Sequence, residues 1–213
     1  RLVTTLANQA ASALENAHLF DETRQRVTEL GTVNRISIAL RAVSKQDEML
    51  AIVLEETLAA LNAAHGSINL LTPSTGKLHR IIARGWVSEF TELPIQPGEG
   101  IFGKVFSSGN THVSRDFVND PLTRPEMRGQ LPVGWGGTCV PIRSSEQTLG
   151  ILLVSVPGER ELSKDEVRLL NTLAEMTGNA LQRMRLYEET VRRAEEFAAL
   201  YETNTAISIE YNL

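Results

Sequence analysis

Side chains suited to binding or catalysis gather between residues 86 and 139 of this chain. One loop within that region carries both acidic and basic residues: Arg115, Asp116, Asp120, Arg124 and Arg128. Guanidinium groups hold carboxylates and phosphates through two parallel hydrogen bonds, so this loop could grip an anionic or polar ligand. The alternative is that its carboxylates cap the loop's own backbone, because an aspartate before a proline, as at Asp120, suits a turn.

Aromatic residues of the same region could form an apolar pocket around such a ligand, since ligand sites are mostly apolar with few polar groups. They are Trp86, Phe90, Phe102, Phe117 and Trp135. The same rings could equally fill that space, and the sequence leaves both arrangements open. We take these aromatics, together with Arg115, Asp116 and Arg128, as the candidate ligand-binding residues.

Nucleophilic and metal chemistry find little support in the sequence. The single cysteine, Cys139, lies in an apolar stretch with no histidine nearby, which predicts a small buried core residue. The four histidines lack the paired spacing of metal ligands, so we expect no metal or other cofactor. Gly98-x-Gly100-x-x-Gly103 resembles a dinucleotide-binding motif, but no βαβ strand precedes it, which indicates a turn and helix entry. We expect no catalytic residues and no enzyme activity in this segment.

The composition limits the choice of partners. The chain has 213 residues and a net charge of −5, which offers no positive surface for nucleic acid or anionic membranes. No apolar run approaches the roughly 20 residues of a membrane-spanning helix. One cysteine excludes an internal disulfide framework and fits a reducing compartment, so we expect a cytoplasmic location.

The hydrophobic periodicity predicts an α+β fold. Residues 44–61 have helical spacing, whereas two pairs of alternating segments, joined by short polar turns, predict β-hairpins. The hairpin strands are expected at Gly66–Thr72, Lys77–Arg84, Gly137–Arg143 and Leu149–Val156. Because the run at 149–154 is almost continuously apolar, we expect a central strand covered on both faces. Hairpins without regular βαβ alternation indicate a central antiparallel sheet, with the long N- and C-terminal helices packed on one face.

A long internal repeat describes the domain organisation. Residues 2–30 align with residues 169–197 at a constant offset of 167, and eleven of the 29 pairs are identical. This period suits a whole domain with its connecting helix. The repeat therefore predicts a tandem array, of which this chain holds the end of one domain, a complete domain and the helix toward a third.

Both copies of the repeat carry an apolar residue every seven positions, which predicts a coiled coil. The first series is Leu6, Ala13, Phe20 and Val27, followed by Asn34 as a candidate buried polar residue, and the second is Leu173, Ala180, Tyr187 and Ala194. We expect these residues to form a homodimer interface, with parallel and antiparallel pairings both open. The alternative is a helix that merely lies on its own domain.

Several motifs, taken in order, resemble the GAF domain family. They are Gly98-Glu99-Gly100-Ile101-Phe102-Gly103, Val113-Ser114-Arg115-Asp116, Asp120-Pro121, Cys139-Val140-Pro141-Ile142 and Leu149-Gly150-Ile151-Leu152, followed by the helix at 169–189. The resemblance implies a complete GAF domain at 32–187, the linker helix of a preceding GAF domain at 1–31 and a linker helix at 188–213. It also implies a ligand pocket between the sheet and the crossover loops.

The resemblance implies a regulatory module of a signalling protein, such as a histidine kinase of a two-component system. The Asn-Lys…Phe…Asp-Glu signature of cyclic-nucleotide-binding members is absent, and Cys139 lies outside the crossover region in which bilin-binding members attach their chromophore. Methionine-sulfoxide-reducing members use several cysteines, so a reductase is the least favoured reading. Two remain open: a dimeric, non-catalytic module relaying signals to adjacent domains of the same chain, and a sensor of an unidentified small molecule.

Overall fold

A five-stranded antiparallel sheet forms the centre of the domain. The computed structural model describes residues 15, 19–20, 27, 30–38, 40–41, 43, 45–90 and 94–210, with 198–210 described as helical backbone alone. The strands are β1 (His65–Thr72), β2 (Lys77–Arg84), β3 (His112–Ser114), β4 (Trp135–Arg143) and β5 (Thr148–Pro157). Their order across the sheet is β2-β1-β5-β4-β3, which confirms the predicted α+β fold.

Local turns fix both predicted hairpins. Between β1 and β2 the chain reverses at Gly76, whose φ of 65° is easily reached only by glycine and whose N–H donates to the Thr72 carbonyl. Between β4 and β5 the Ser144 N–H donates to the Gln147 carbonyl at 2.9 Å. β5 lies in the middle of the sheet and is buried along nearly its whole length, as its apolar run predicts.

Helices cover both faces of this sheet. They are α1 (residues 30–38), α2 (Gln46–Ala60), α3 (Gly100–Ser108), α4 (Pro125–Arg128) and α5 (Lys164–Glu210), with a 3-10 helix at Gly85–Ser88. The sequence predicts α2, α3 and α5 but gives only irregular backbone where α4 and the 3-10 helix lie. α4 begins with Pro125, whose fixed φ suits the first turn of a helix.

Alternating strand residues divide the core into two layers. Leu152 and Val154 of β5 point toward α1, α2 and α5 and join the larger apolar cluster. Ile151 and Leu153 point to the opposite face and join a smaller cluster with α3 and the crossover loops. The period of two along a strand therefore separates the helix-covered face from the face that can hold a ligand.

Side-chain capping fixes the start of α5. The Ser163 hydroxyl accepts from the Glu166 N–H at 3.2 Å, and the Glu166 carboxylate accepts from the Ser163 N–H at 2.7 Å, which confirms the predicted capping box. Arg160 donates to the Asn62 carbonyl at the end of α2 and also contacts Glu166 at 2.9 Å. The last turn of α2 and the first turn of α5 are thus joined through one guanidinium group.

Two of the predicted dimer-interface residues belong to the domain's own core, which corrects the sequence interpretation. Leu173 and Ala180 are 0% and 2% exposed and pack in the cluster beneath α5. The same seven-residue spacing serves first to bury α5 against its own sheet. For this part of the helix, the alternative of a helix lying on its own domain is the right one.

The other members of the two series that the structure describes are exposed. Phe20, Val27 and Asn34 on the N-terminal side, and Tyr187 and Ala194 on the C-terminal side, face solvent in this single chain. Leu6 and Ala13 lie outside the described residues. The dimer and the coiled-coil linkers therefore stay predictions that rest on the exposed positions.

Candidate ligand-binding site

A cavity of about 150 Å³ lies between the sheet and the crossover segments, on the face opposite α2 and α5. Its lining comes from β1, β2, β5, the 3-10 helix, α3, α4 and the loops between them. The lining residues are Ser67, Asn69, Arg80, Trp86, Val87, Phe90, Ile95, Glu99, Gly100, Ile101, Phe102, Phe117, Thr123, Arg124, Met127, Leu131 and Leu153. Most of these side chains are apolar, as in typical small-molecule sites.

The predicted aromatic residues gather around this cavity. Trp86, Phe90, Phe102 and Phe117 line it. The ring of Trp86 makes edge-on contacts with Phe90 and Phe117, with ring centres 5.4 and 6.2 Å apart. Of the two arrangements left open by the sequence, the structure has the rings bounding a space that they do not fill.

Trp135 packs against Trp86 but does not itself line the cavity. Its ring contacts Trp86 at 6.1 Å and His65 at 4.4 Å between ring centres. The backbone N–H of Trp86 donates to Nδ1 of His65 at 3.0 Å. Burial lowers the pKa of His65, with Glu89 opposing, so the ring favours the neutral form that can accept this hydrogen bond.

The charged residues predicted as ligand anchors lie elsewhere. Arg115 donates to Glu161 at 3.2 Å, and Asp116 accepts from the Val118 N–H at 2.9 Å. Arg128 is exposed at the end of α4. None of the three lines the cavity, because each is engaged with neighbouring residues or turned toward solvent while the apolar residues of the loop face inward. For Asp116, backbone capping is the arrangement that the structure contains.

Two other arginines line the cavity instead, and both already have partners. Arg80 donates to the carbonyls of Val87 and Phe90, at 2.6 and 2.7 Å. Arg124, a member of the predicted charged loop, donates to Glu99 at 3.1 Å. This hydrogen bond is the main cause of a lowered pKa for Glu99, whose carboxylate therefore stays ionised at neutral pH.

The sequence did not identify Arg80 as a cavity residue, because a β-bulge changes the register of the first hairpin. Ile68 pairs with Ile82, but Asn69 pairs with Arg80, so one residue of β2 is skipped. A shift by one residue moves the following side chains to the other face of a strand. No turn or composition signal in the sequence marks that position.

Asp120 organises the loop that forms the far side of the cavity. Its carboxylate accepts from the Leu122 N–H at 2.9 Å and contacts Nε2 of His112 at 2.8 Å. Burial raises the pKa of Asp120, and the Ser114 hydroxyl, His112 and the Leu122 N–H together outweigh that effect, so its pKa lies below the ordinary value. Thr123, three residues after Asp120 in the same loop, lines the cavity.

Asp120→Ala is expected to lower the free energy of unfolding by about 1.5 kcal/mol, because the half-buried Leu122 N–H and His112 ring lose their acceptor. Urea unfolding followed by circular dichroism measures this, with Asp116→Ala, a half-buried capping residue of the same loop, as the milder control. Because the folded pKa is lowered, the wild-type advantage is complete above the unfolded pKa and disappears as the pH falls through the folded one. Equal unfolding midpoints at pH 7 would contradict this role.

The comparisons with known proteins agree with this architecture. A family model described as GAF domain matches residues 44–182. The chain belongs to the GAF domain family. The matched range lies within the domain predicted at 32–187, and the resemblance noted in the sequence is confirmed.

One curated relative is regulatory. The GAF domain chain is 30% identical over 198 residues to the Nif-specific regulatory protein of Herbaspirillum seropedicae. The match covers 85% of this chain and 36% of that protein, so the chain spans about a third of its relative's length.

Solved structures share the fold at low identity. The GAF domain of a phosphoenolpyruvate-protein phosphotransferase from Coxiella burnetii has a TM-score of 0.66 and 20% identity, over 76% of this chain and 98% of that one. The free methionine-R-sulfoxide reductase of Neisseria meningitidis has a TM-score of 0.63 and 16% identity, over 75% and 91% of the two chains. At these identities the likeness establishes the fold alone.

The remaining motifs of this GAF domain have structural roles. Gly98 and Gly100 have φ of 89° and 64°, and a Cβ at Gly103 would overlap the Gln96 carbonyl, so the glycines form the turn into α3.

Within the described part of the chain, no three His, Cys, Asp or Glu side chains converge to hold a metal ion. None of the described helices is long and apolar enough to cross a membrane.

Cys139 lies in β4 on the cavity side of the sheet and is 1% exposed, as the sequence predicts. Burial raises the pKa of its thiol well above the usual range, so the nucleophilic thiolate is disfavoured.

Cys139→Ala is expected to cost about 1 kcal/mol of stability, the scale of a small core truncation. A thiol reagent should label the native protein slowly and the urea-unfolded protein at once, and rapid labelling of the native protein would contradict burial.

Proposed function

We propose that this GAF domain is a non-catalytic regulatory module of a multidomain signalling protein, and that it relays conformational change to adjacent domains of the same chain. The observation that carries the proposal is α5, one continuous helix of 47 residues. At about 1.5 Å per residue it is roughly 70 Å long. Its first part is buried against the sheet, and from residue 185 onward it carries no buried residue up to 197. Such a helix moves as a unit with the sheet that it covers.

The likeness to a Nif-specific regulatory protein supports a regulatory role. Catalysis by the segment is not proposed. The only cysteine is buried as a thiol whose reactive thiolate form is disfavoured, and the reductase among the solved structures shares the fold alone. The proposed role of this module is therefore to transmit a movement of its sheet, through α5, to the adjacent domain.

Dimerisation through the long helices is the second part of the proposal. α1 has two opposite faces: Ile36 packs in the core, as does Leu40 just beyond α1, whereas Leu30, Asn34 and Ile38 face solvent. Residues four apart share one face of a helix, so the exposed set forms one stripe. Phe20 and Tyr187, on the two helical segments, are 68% and 71% exposed. Large apolar side chains exposed at helical spacing call for a partner helix.

The expected test of this proposal is the mass of the whole chain in solution. Multi-angle light scattering should give twice the chain mass of 23.5 kDa at concentrations on the order of tens of micromolar, a typical dimer range. A single species of 23.5 kDa across that range would contradict the proposed dimer. Distances between spin labels at exposed sites on α5 would then report whether the pairing is parallel.

A second candidate function, small-molecule sensing, is favoured by the cavity itself. Closely packed domains have few voids larger than a water molecule, yet here a partly open space of about 150 Å³ is lined mainly by aromatic and aliphatic side chains. A ligand there would contact α3, the 3-10 helix and the sheet at once. Through the sheet its binding would reach α5, so sensing and relay would be parts of one mechanism.

A further inference from the structure

We propose that the cavity takes a small, uncharged and mainly apolar molecule, about the size of one six-membered ring, that carries one hydrogen-bond-accepting group. This inference rests on the sensing function proposed above and names the class of ligand. It differs from the sequence expectation of arginine anchors for an anion.

The size follows from the volume. An engineered apolar cavity of about 150 Å³, lined by Leu, Ile and Phe, stays dry and binds benzene. The cavity described here has about the same volume, and Val87, Ile101 and Leu153 accompany the aromatic rings in its lining. It differs in being partly open and in having polar residues along part of its wall. A molecule with a single ring and a short substituent fills that space, whereas a nucleotide or a tetrapyrrole exceeds it.

The lack of charge follows from the partners of the lining arginines. Both end nitrogens of Arg80 donate to backbone carbonyls, at 2.6 and 2.7 Å. Arg124 donates to Glu99 at 3.1 Å and lies 3.7 Å from the Glu126 carboxylate. An anionic ligand would have to break these contacts and would also meet the Glu99 carboxylate, which lines the same cavity. Both arginines would therefore have to give up existing hydrogen bonds before they could bind a carboxylate or phosphate.

The accepting group follows from polar atoms that lack partners. Nε1 of Trp86 and Oγ1 of Thr123 are buried without a hydrogen bond, and both residues belong to the lining. The indole N–H can only donate, and a buried donor without a partner costs stability. A small rotation of the Trp86 ring would turn that donor into the cavity, where a ligand carbonyl or ether oxygen would satisfy it, which an unsubstituted hydrocarbon cannot do.

Three probes of similar shape separate these requirements: toluene, acetophenone and benzoate. Isothermal titration of the whole chain should show acetophenone with a dissociation constant on the order of 1 mM or tighter, within the limits for so few atoms. Toluene is expected to bind about fivefold more weakly, because it leaves the indole N–H of Trp86 unpaired. Benzoate is expected to bind at least about tenfold more weakly than acetophenone. Benzoate binding as tightly as acetophenone, or no heat from any probe, would overturn the proposal.

Variants locate the binding. Met127→Trp should fill the cavity from α4 and abolish acetophenone binding, whereas Val133→Trp, an exposed position of the same loop outside the lining, should leave it unchanged. Trp86→Phe should bring acetophenone down to the affinity of toluene without weakening toluene. Undiminished binding by a folded Met127→Trp protein would place the probe elsewhere and overturn the inference. Light scattering tests the dimer and relay proposal without any probe, so the two can fail separately.

Discussion

Phe20→Glu combined with Val27→Glu is expected to convert the protein to a monomer at concentrations where the wild type is dimeric. Both side chains belong to the seven-residue apolar series that ends at Asn34, and they are 68% and 64% exposed in the single chain. Buried apolar residues at seven-residue spacing hold paired helices together, and two-fold symmetry would place four carboxylates in one interface. We expect the dimer dissociation constant to rise by about 100-fold or more, which light scattering over a concentration series measures.

The control for this experiment is Val133→Glu, which introduces the same charge at a loop position that is 87% exposed. Its dimer dissociation constant should equal that of the wild type. Circular dichroism and unfolding midpoints should stay unchanged in both proteins, because neither altered surface belongs to the described core. A dimer that survives the double substitution would contradict the assignment of this stripe as the interface.

The sheet could be predicted because its signals are local. The turn around Gly76 and the capping box of Ser163 and Glu166 depend on residues only a few positions apart. The central strand β5 could be recognised because a strand covered on both faces must be apolar at nearly every position. Such features do not require knowledge of how distant segments meet.

The heptad series shows where a local pattern becomes ambiguous. Leu173 and Ala180 have the spacing of a coiled coil, but a helix lying on a sheet needs an apolar stripe of nearly the same period. Only the position at which α5 ceases to be buried distinguishes the two uses, and that position depends on the size of the sheet. The exposed residues Tyr187 and Ala194 therefore continue a stripe that first serves the core.

Of the candidate ligand-binding residues, the structure places the aromatic ones around the cavity and the charged ones away from it. Trp86, Phe102 and Phe117 could be placed because large apolar residues in a crossover segment have to face inward. Loop arginines face whichever partner tertiary structure offers, so Arg115 meets Glu161, 46 residues away in sequence. The volume of the cavity depends on packing at the scale of one ångström, which no sequence pattern records.

The relay proposal depends on close contact between α5 and the sheet, and Gly178 makes that contact possible. This glycine lies in α5 against the last residue of β4. A Cβ there would overlap the Arg143 carbonyl group and lie 2.9 Å from the Arg143 backbone nitrogen. These are backbone atoms of β4, so they cannot move aside as a flexible side chain would. The side chain of Arg143 also lies 3.4 Å from Glu175, one turn earlier in the same helix.

Gly178→Ala is therefore expected to destabilise the domain by about 3 kcal/mol, because α5 must move off β4 to admit one methyl group. The gain in helix propensity from glycine to alanine, about 1 kcal/mol, offsets only part of that clash. Urea unfolding measures the difference, with Gly129→Ala as control, since a Cβ at Gly129 meets nothing within 4 Å. The control should change stability by less than about 0.5 kcal/mol. If Gly178→Ala is as stable as the wild type, α5 is not held at this point, and the helix cannot report the position of the sheet in the way proposed.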